Sequence, residues 1–281
     1  MARAMRDLAG RNALVTGASG GIGTHIARAL ARAGMNVAVT GRREDALNAV
    51  VTELRSLGAG AEALTVDLND LEQAQGLIER AEQALGPVDV LVNNAGVEYA
   101  SAFDRAPRNE LLETVTVNLT APMLLTHAAL PGMLERGRGH VVFISSGAGK
   151  IAPAYEAPYG ATKAGLIALT QGLRREFRNQ PVSFSVVCPG FVAGDGMYQR
   201  MAEEGVRSNR ILGTTTVQRI ADDVLDAVRR DLPEVIDTGS PVRPVFALSQ
   251  LAPRTTERLV TRIGMDKMFE RTAELRGRGN R

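Results

Sequence analysis

Short apolar runs alternate with amphipathic stretches along most of this chain. The first run, NALVT at 12–16, is β-prone and stops at the glycine-rich GASGGIG of 17–23. A helical pattern follows over 24–33, where Ile26, Ala27 and Leu30 recur at helical spacing. MNVAVT at 35–40 reads as a second strand, 45–57 as an amphipathic helix ending at Gly58, and 61–66 as a third strand. The helix predicted over 69–85 is stopped by Gly86 and Pro87. The run 88–92 is almost continuously apolar, as a parallel strand buried on both faces should be. Residues 110–134 read as one long helix, which Pro122 should bend or deprive of a hydrogen bond. HVVFIS at 140–145 is a strand, 159–179 a helix, 182–187 a strand, 216–231 a helix and 234–237 a last short strand. The β-α unit recurs about six times without a hairpin signal. That rhythm predicts an α/β fold: one doubly wound parallel sheet with helices on both faces.

Two segments break the rhythm. Residues 191–214 mix polar and soft apolar side chains after a strand end, where lids and substrate loops are found. From 239 onward, Pro241, Pro244 and Pro253 punctuate a stretch in which Leu248, Leu251, Leu259, Ile263, Met268 and Phe269 stand among many arginines. The chain therefore divides into an α/β body over 8–238 and a C-terminal extension over 239–281. The extension is expected to form short amphipathic helices with an unordered end at RGRGNR. It would pack on the body or on a neighbouring subunit. The alternative is a membrane-surface segment with Arg254, Arg258, Arg262 and Arg271 turned to acidic lipid.

Composition narrows the function classes. The 281 residues are 44% hydrophobic, enough for a substantial core. With 33 basic against 31 acidic side chains, the net charge of +2 gives no reason to expect a nucleic-acid partner. Cys188 is the only cysteine, so an intrachain disulfide and a cysteine-based metal site are excluded; it reads as a small buried thiol, and no metal is expected. The charged start MARAMRDLAGR does not resemble a secretory leader, and no apolar run reaches the ~18 residues of a spanning helix. A cytoplasmic chain is the default expectation.

The candidate chemistry sits at strand ends. GASGGIG lies between a strand and a helix, where glycines let the backbone approach a phosphate and the helix N-terminus favours negative charge. At the end of the second strand stand Gly41, Arg42 and Arg43. An acidic residue there would hold a ribose hydroxyl; arginine suits a 2′-phosphate, and hence NADP(H) over NAD(H). The plainer reading is a solvated helix start. Asn93, Asn94, Ala95 and Gly96 follow a buried strand, either as a turn beside a ligand or as a structural Asx turn. Asn118, in an otherwise apolar TVNLTA stretch, reads on spacing alone as a locally satisfied amide. Ser146 follows the strand at 140–145, and Cys188, Pro189 and Gly190 follow the strand at 182–187. YGATK at 159–163 puts a phenol and an ammonium one helical turn apart. A lysine so placed would lower the tyrosine pKa and make it an acid–base group near neutral pH.

Taken in order, Thr16, Gly17, Gly21, Gly23, the NNAG at 93–96, Asn118, Ser146, Tyr159, Lys163, Pro189 and Gly190 resemble the short-chain dehydrogenase/reductase family over roughly residues 8–238. The resemblance implies a Rossmann-like fold and an NADP(H)-dependent oxidoreductase acting on a small-molecule ketone, aldehyde or alcohol. It implies Tyr159 as general acid or base, Lys163 as its pKa partner and ribose ligand, Ser146 on the substrate oxygen, and Asn118 holding a water that joins Lys163 to solvent. Family spacing selects Ser146 over Ser145. Gly17, Ser19, Gly21, Ile22 and Gly23 would form the pyrophosphate loop. Asp67 and Leu68 would meet the adenine, Asn93 would form the pocket floor, Ala95, Gly96, Pro189 and Gly190 would also bind the cofactor, and Val192 would approach the nicotinamide carboxamide. Glu98, Ala148, Glu156, Phe191, Met197 and Tyr198 are the expected substrate wall, with Tyr99 beside them.

Two departures stand out. Gly194 occupies the position where many members carry a carboxamide-binding threonine. The interface strand of many tetrameric members is replaced by EVIDTGSPVRPVFAL and the extension. A homodimer through the helices at 110–134 and 159–179 is therefore expected over a tetramer. The rival functions are an NAD-linked enzyme of the same family, a nucleotide-sensing scaffold without turnover, and a membrane-surface reductase of lipid-like substrates.

Overall fold

The computed structural model describes residues 4–194, 197–203, 205–206, 212–239 and 243–279. Its strands are β1 (Asn12–Thr16), β2 (Asn36–Gly41), β3 (Ala61–Thr65), β4 (Val90–Asn93), β5 (Gly139–Ile144), β6 (Val182–Pro189), β7 (Val192–Ala193), β8 (Thr215–Thr216) and β9 (Glu234–Asp237). Seven of them form one parallel sheet in the order β3-β2-β1-β4-β5-β6-β9. Beside the main sheet, β7 and β8 pair with each other in parallel.

The strands are apolar almost throughout because both faces are covered. Ala13 and Val15 of β1 point into one core, with Ile26 and Leu30 of α1 (Gly21–Arg32), Leu54 of α2 (Glu44–Ser56), and Val224 from a helix late in the chain. Leu14 points into the other core, with Leu91, Phe143, Leu125 and Leu166. This is period-2 alternation with apolar residues at both phases. Phe143 is fully buried, and truncating it to alanine would cost ~3–5 kcal/mol. Strand order runs outward in both directions from the boundary between β1 and β4, so a crevice opens at their carboxyl ends, where ligands bind in such sheets.

The helices differ from the sequence pattern where a local feature interrupts them. The helix expected over 69–85 is two helices, α3 (Leu71–Gln75) and α4 (Leu77–Leu85), separated at Gly76. Asp70 caps α3 by accepting from the N–H groups of Glu72 and Gln73. The helix expected over 110–134 divides into α5 (Arg108–Val115), a π turn (Thr116–Thr120) and α6 (Ala121–Glu135). Pro122 lies in the first turn of α6, directly after the wide turn that accommodates it. Then come α7 (Ala157–Glu176), α8 (Met197–Glu203) and α9 (Val217–Arg230).

The extension is helical: α10 (Arg243–Leu251), α11 (Pro253–Arg262) and α12 (Met265–Gly279). It folds back over the carboxyl edge of the sheet. Phe269 of α12 stacks on Phe191 at 6.3 Å between ring centres, and Phe191 meets Tyr198 at 5.1 Å. Helix α12 runs on past Arg276 to Gly279, where an unordered end is expected from the sequence; residues 280 and 281 lie outside the described ones. Arg254, Arg258, Arg262 and Arg271 are exposed, while Val260, Met268 and Phe269 face inward and are buried. Most of the apolar side that a membrane surface would need is thus turned onto the body, with Leu251 as an exposed exception. Among the described residues, no helix is long and apolar enough to cross a membrane.

Candidate active site

A cavity of about 690 Å³ follows the carboxyl edge of the sheet from the β1–α1 turn to the extension. At one end is the glycine turn. Gly17 has φ 66, and a Cβ there would come within 2.7 Å of the Ala95 Cα; one at Gly23 would come within 2.4 Å of the Gly17 carbonyl oxygen. Glycine is therefore required at both places, for different reasons. Gly17, Ser19, Gly20, Gly21 and Ile22 line the cavity. Gly23 does not; its role is to let α1 pack against the turn. The N-cap of α1 is Gly20, which has no side chain to cap the helix, and the positive end of the helix dipole faces the cavity.

Asn94, not Asn93, supports this turn. Its Nδ2 donates to the carbonyls of Thr16 (2.8 Å) and Gly17 (3.1 Å), and it lines the cavity with Ala95 and Gly96. Asn93 is the last residue of β4 and points the other way, donating to Thr126 Oγ1 at 3.3 Å in the interior. The expected pocket-floor residue is therefore a core residue. Strand parity carries the signal, since successive side chains leave a strand on opposite faces.

Both arginines after β2 line the cavity, as do Asp67 and Leu68. Arg43 Nη2 donates to the Ser19 carbonyl at 2.6 Å, tying it to the phosphate turn. Arg42 is largely exposed and lies 3.7 Å from Glu113, a weak pair that a bound phosphate can displace. An uncapped helix start, a glycine cradle and two adjacent guanidinium groups together fit a dinucleotide carrying an additional phosphate.

At the centre, α7 places Tyr159 and Lys163 on one face, with Pro158 in its first turn. Lys163 is buried, and its Nζ donates to the Ile144 carbonyl at 2.9 Å. Burial lowers its pKa to about 8. Nζ stands 5.5 Å from the centre of the Tyr159 ring. The sequence predicts that this lysine pulls the phenol pKa down. The structure reverses that: burial first, then the charges of Glu98 and Glu156, push it up. The physical reason is that the ammonium is turned to Ile144 while two carboxyl groups face the phenol. The nearby Ser146 hydroxyl opposes the shift.

The adjacent serines are distinguished by partner. Ser145 is buried, and its Oγ donates to the Lys163 carbonyl at 2.8 Å, a structural bond. Ser146 begins the following loop, lines the cavity beside Tyr159 and accepts from the Ala148 N–H at 3.1 Å. Asn118 lies in the π turn, fully buried. Its Oδ1 accepts from the Val97 N–H and its Nδ2 donates to the Val97 carbonyl, both at 2.8 Å. That local satisfaction matches the spacing-based reading, and Asn118 does not line the cavity.

The far end is walled by Glu98, Ala148, Glu156, Phe191 and Tyr198, and Pro189, Gly190 and Val192 line its floor. The side chain of Met197 is outside what the structure describes. Tyr99 lies apart from the cavity, donating to Glu113 at 2.8 Å beneath the Arg276 guanidinium. Gly194 has φ 103, which would strain any side chain, and its N–H donates to Gln199 Oε1 at 3.3 Å. Gln199 also lines the cavity. The sequence reading does not single out the roof: Phe246, Val260, Ile263 and Phe269, all from the extension. Their amphipathic spacing is visible in the sequence; what they cover is not. Among the described residues, no group of three or more potential metal ligands comes together.

Residues 11–205 match the short chain dehydrogenase family. The chain belongs to that family. A ketoacyl reductase, HetN of Nostoc sp., is 35% identical to this short-chain dehydrogenase over 277 residues, covering 97% of this chain and 96% of its own. A polyketide ketoreductase of actinorhodin synthesis, crystallised with NADPH, superposes with a TM-score of 0.76 at 31% identity, covering 85% of this chain and 98% of its own. A 3-oxoacyl (acyl-carrier-protein) reductase from Agrobacterium tumefaciens with NADP bound gives 0.77 at 32% identity, covering 84% and 96%. This short-chain dehydrogenase is thus an oxidoreductase by family, with the fold expected from its sequence.

Proposed function

We propose that this short-chain dehydrogenase is an NADP(H)-dependent oxidoreductase that interconverts a ketone or aldehyde and its alcohol, with Tyr159 as the acid–base group. The observation that carries the reading is the placement of the Tyr159 and Ser146 hydroxyls together on the cavity wall, with the Lys163 ammonium buried behind them. NADPH, when bound, supplies the hydride. Gly17, Ser19, Gly21 and Ile22 cradle its pyrophosphate, and Arg42 and Arg43 read its 2′-phosphate. Ser146 donates to the substrate oxygen and orients it. Tyr159 is held protonated by its surroundings, which sets it to give a proton to that oxygen in the reducing direction.

Asn118 contributes through its backbone. Its carbonyl lies in the π turn, four residues before Pro122, which has no N–H to offer it. With both side-chain atoms engaged by Val97, that carbonyl is the group suited to a water linking Lys163 to solvent. A homodimer fits as well: Leu112, Val115 and Met123 are exposed on and beside α5 and α6, the face expected for subunit pairing.

The test is a carbonyl panel followed by loss of NADPH absorbance, with ketoacyl thioesters included because of the relatives' chemistry. Reduction of at least one ketone or aldehyde is the expected result. Inertness towards the whole panel, with NADPH bound, would favour the nucleotide-sensing reading.

A further inference from the structure

The extension is rich in charge, yet among the described residues every side chain it turns onto the cavity is apolar. Phe246 comes from α10, Leu259 and Val260 from α11, and Met265 and Phe269 from α12. Arg254, Arg258, Arg262 and Arg271 of the same helices are exposed and do not line it. The polar groups on the cavity wall all come from the body.

This apolar space begins at the reacting groups. A Cβ on Gly147, the residue after Ser146, would come within 3.7 Å of the Phe246 Cζ and 3.6 Å of the Pro189 carbonyl oxygen. Phe191, two residues after Pro189, meets both Tyr198 and Phe269, so rings from the body and the extension share one wall. The roof is also pinned beside the site, where Tyr155 Oη donates to Glu270 Oε1 at 3.0 Å.

Packing accounts for only part of this roof. Val260 and Phe269 are buried. Phe246, Leu259, Ile263 and Met265 are only half-buried, and they line the cavity. Apolar surface turned to a cavity stays in contact with water until an apolar ligand covers it. An arm with charge or several hydroxyls would leave hydrogen bonds unmade against such a wall.

We propose that the extension is the substrate-selecting wall of this enzyme, and that the substrate is a ketone or secondary alcohol whose apolar arm of several carbons lies against Phe246, Leu259 and Ile263. The inference rests on carbonyl reduction at Tyr159, as proposed above, and adds the substrate class and the residues that select it.

The test follows kcat/KM along the methyl ketones from 2-butanone to 2-octanone. In parallel, calorimetry measures binding of the alcohols from 2-butanol to 2-octanol to the NADPH-loaded protein, where an alcohol cannot react with a cofactor already reduced. Both series should rise about 3-fold for each added methylene, as burial of that group gives. Phe246→Ser and Leu259→Ser should each shrink the rise, in variants shown by thermal melts to be folded. A response flat in chain length overturns the wall while leaving carbonyl reduction intact. A rise that neither substitution changes also overturns it. If the alcohols bind with the expected length dependence and no ketone is reduced, the wall stands and the proposed reaction fails. Absence of both length-dependent binding and turnover overturns both.

Discussion

Arg276 Nη2 on α12 lies 2.6 Å from Glu110 Oε1 on α5, joining residues 166 positions apart in the chain. The same guanidinium stands 4.5 Å over the Tyr99 ring. This clamp holds the extension down over the cavity. Arg276→Ala should raise KM for an apolar ketone several-fold while changing the melting temperature little. The pair is only partly buried, and such pairs contribute about 1 kcal/mol or less. Steady-state kinetics beside a thermal melt separate the two effects. A large fall in melting temperature with unchanged KM would make the clamp purely structural.

Arg42 is the better positioned of the two arginines to reach a 2′-phosphate, because its present partner Glu113 is distant and weak. Arg42→Ala should weaken NADPH about 10-fold or more, as expected for a lost charged hydrogen bond, and leave NADH nearly unaffected. Comparing the two cofactors' KM values checks this. Equal weakening of both would assign Arg42 a structural role, and unchanged NADPH use would leave Arg43 as the reader.

His140 has no place in the reaction but should dominate one feature of acid stability. It is buried, its Nε2 lies 2.8 Å from Ser185 Oγ, and that hydroxyl donates to the Leu232 carbonyl. With the Ser185 hydrogen given to Leu232, Nε2 carries a proton and donates to the hydroxyl. Burial lowers its pKa from 6.5 to about 4. The unfolded chain thus binds a proton below about pH 6.5 that the folded chain refuses until about pH 4. Stability is fully present above 6.5 and falls across that window, by about 3 kcal/mol. Denaturant midpoints at pH 7 and pH 5 measure the loss, which His140→Gln should reduce.

Much of this was legible from local spacing. Tyr159 and Lys163 share a face because four residues make one helical turn, and Gly17 needs no partner to mark a tight turn. Features set by distant contacts were not legible. Glu156 looks like a loop carboxylate until Glu98, far earlier in the chain, is brought against it. The same holds for Tyr159: burial and those two carboxyls push its phenol up, against the direction that the spacing to Lys163 implies, while the ammonium is turned to Ile144. Asn93 and Asn94 read as a pair, and only the register of β4 separates a core amide from a cavity amide. In the extension, the apolar stripe was visible, but not that it roofs a cavity.

The central claim is that Tyr159 delivers the proton without being needed to bind the cofactor. The most direct measurement pairs the turnover of Tyr159→Phe on the best ketone of the panel with its NADPH dissociation constant. The account predicts a fall in kcat of about 100-fold or more, the range of a lost general acid, with NADPH affinity nearly unchanged. Turnover close to that of the unaltered enzyme would contradict it.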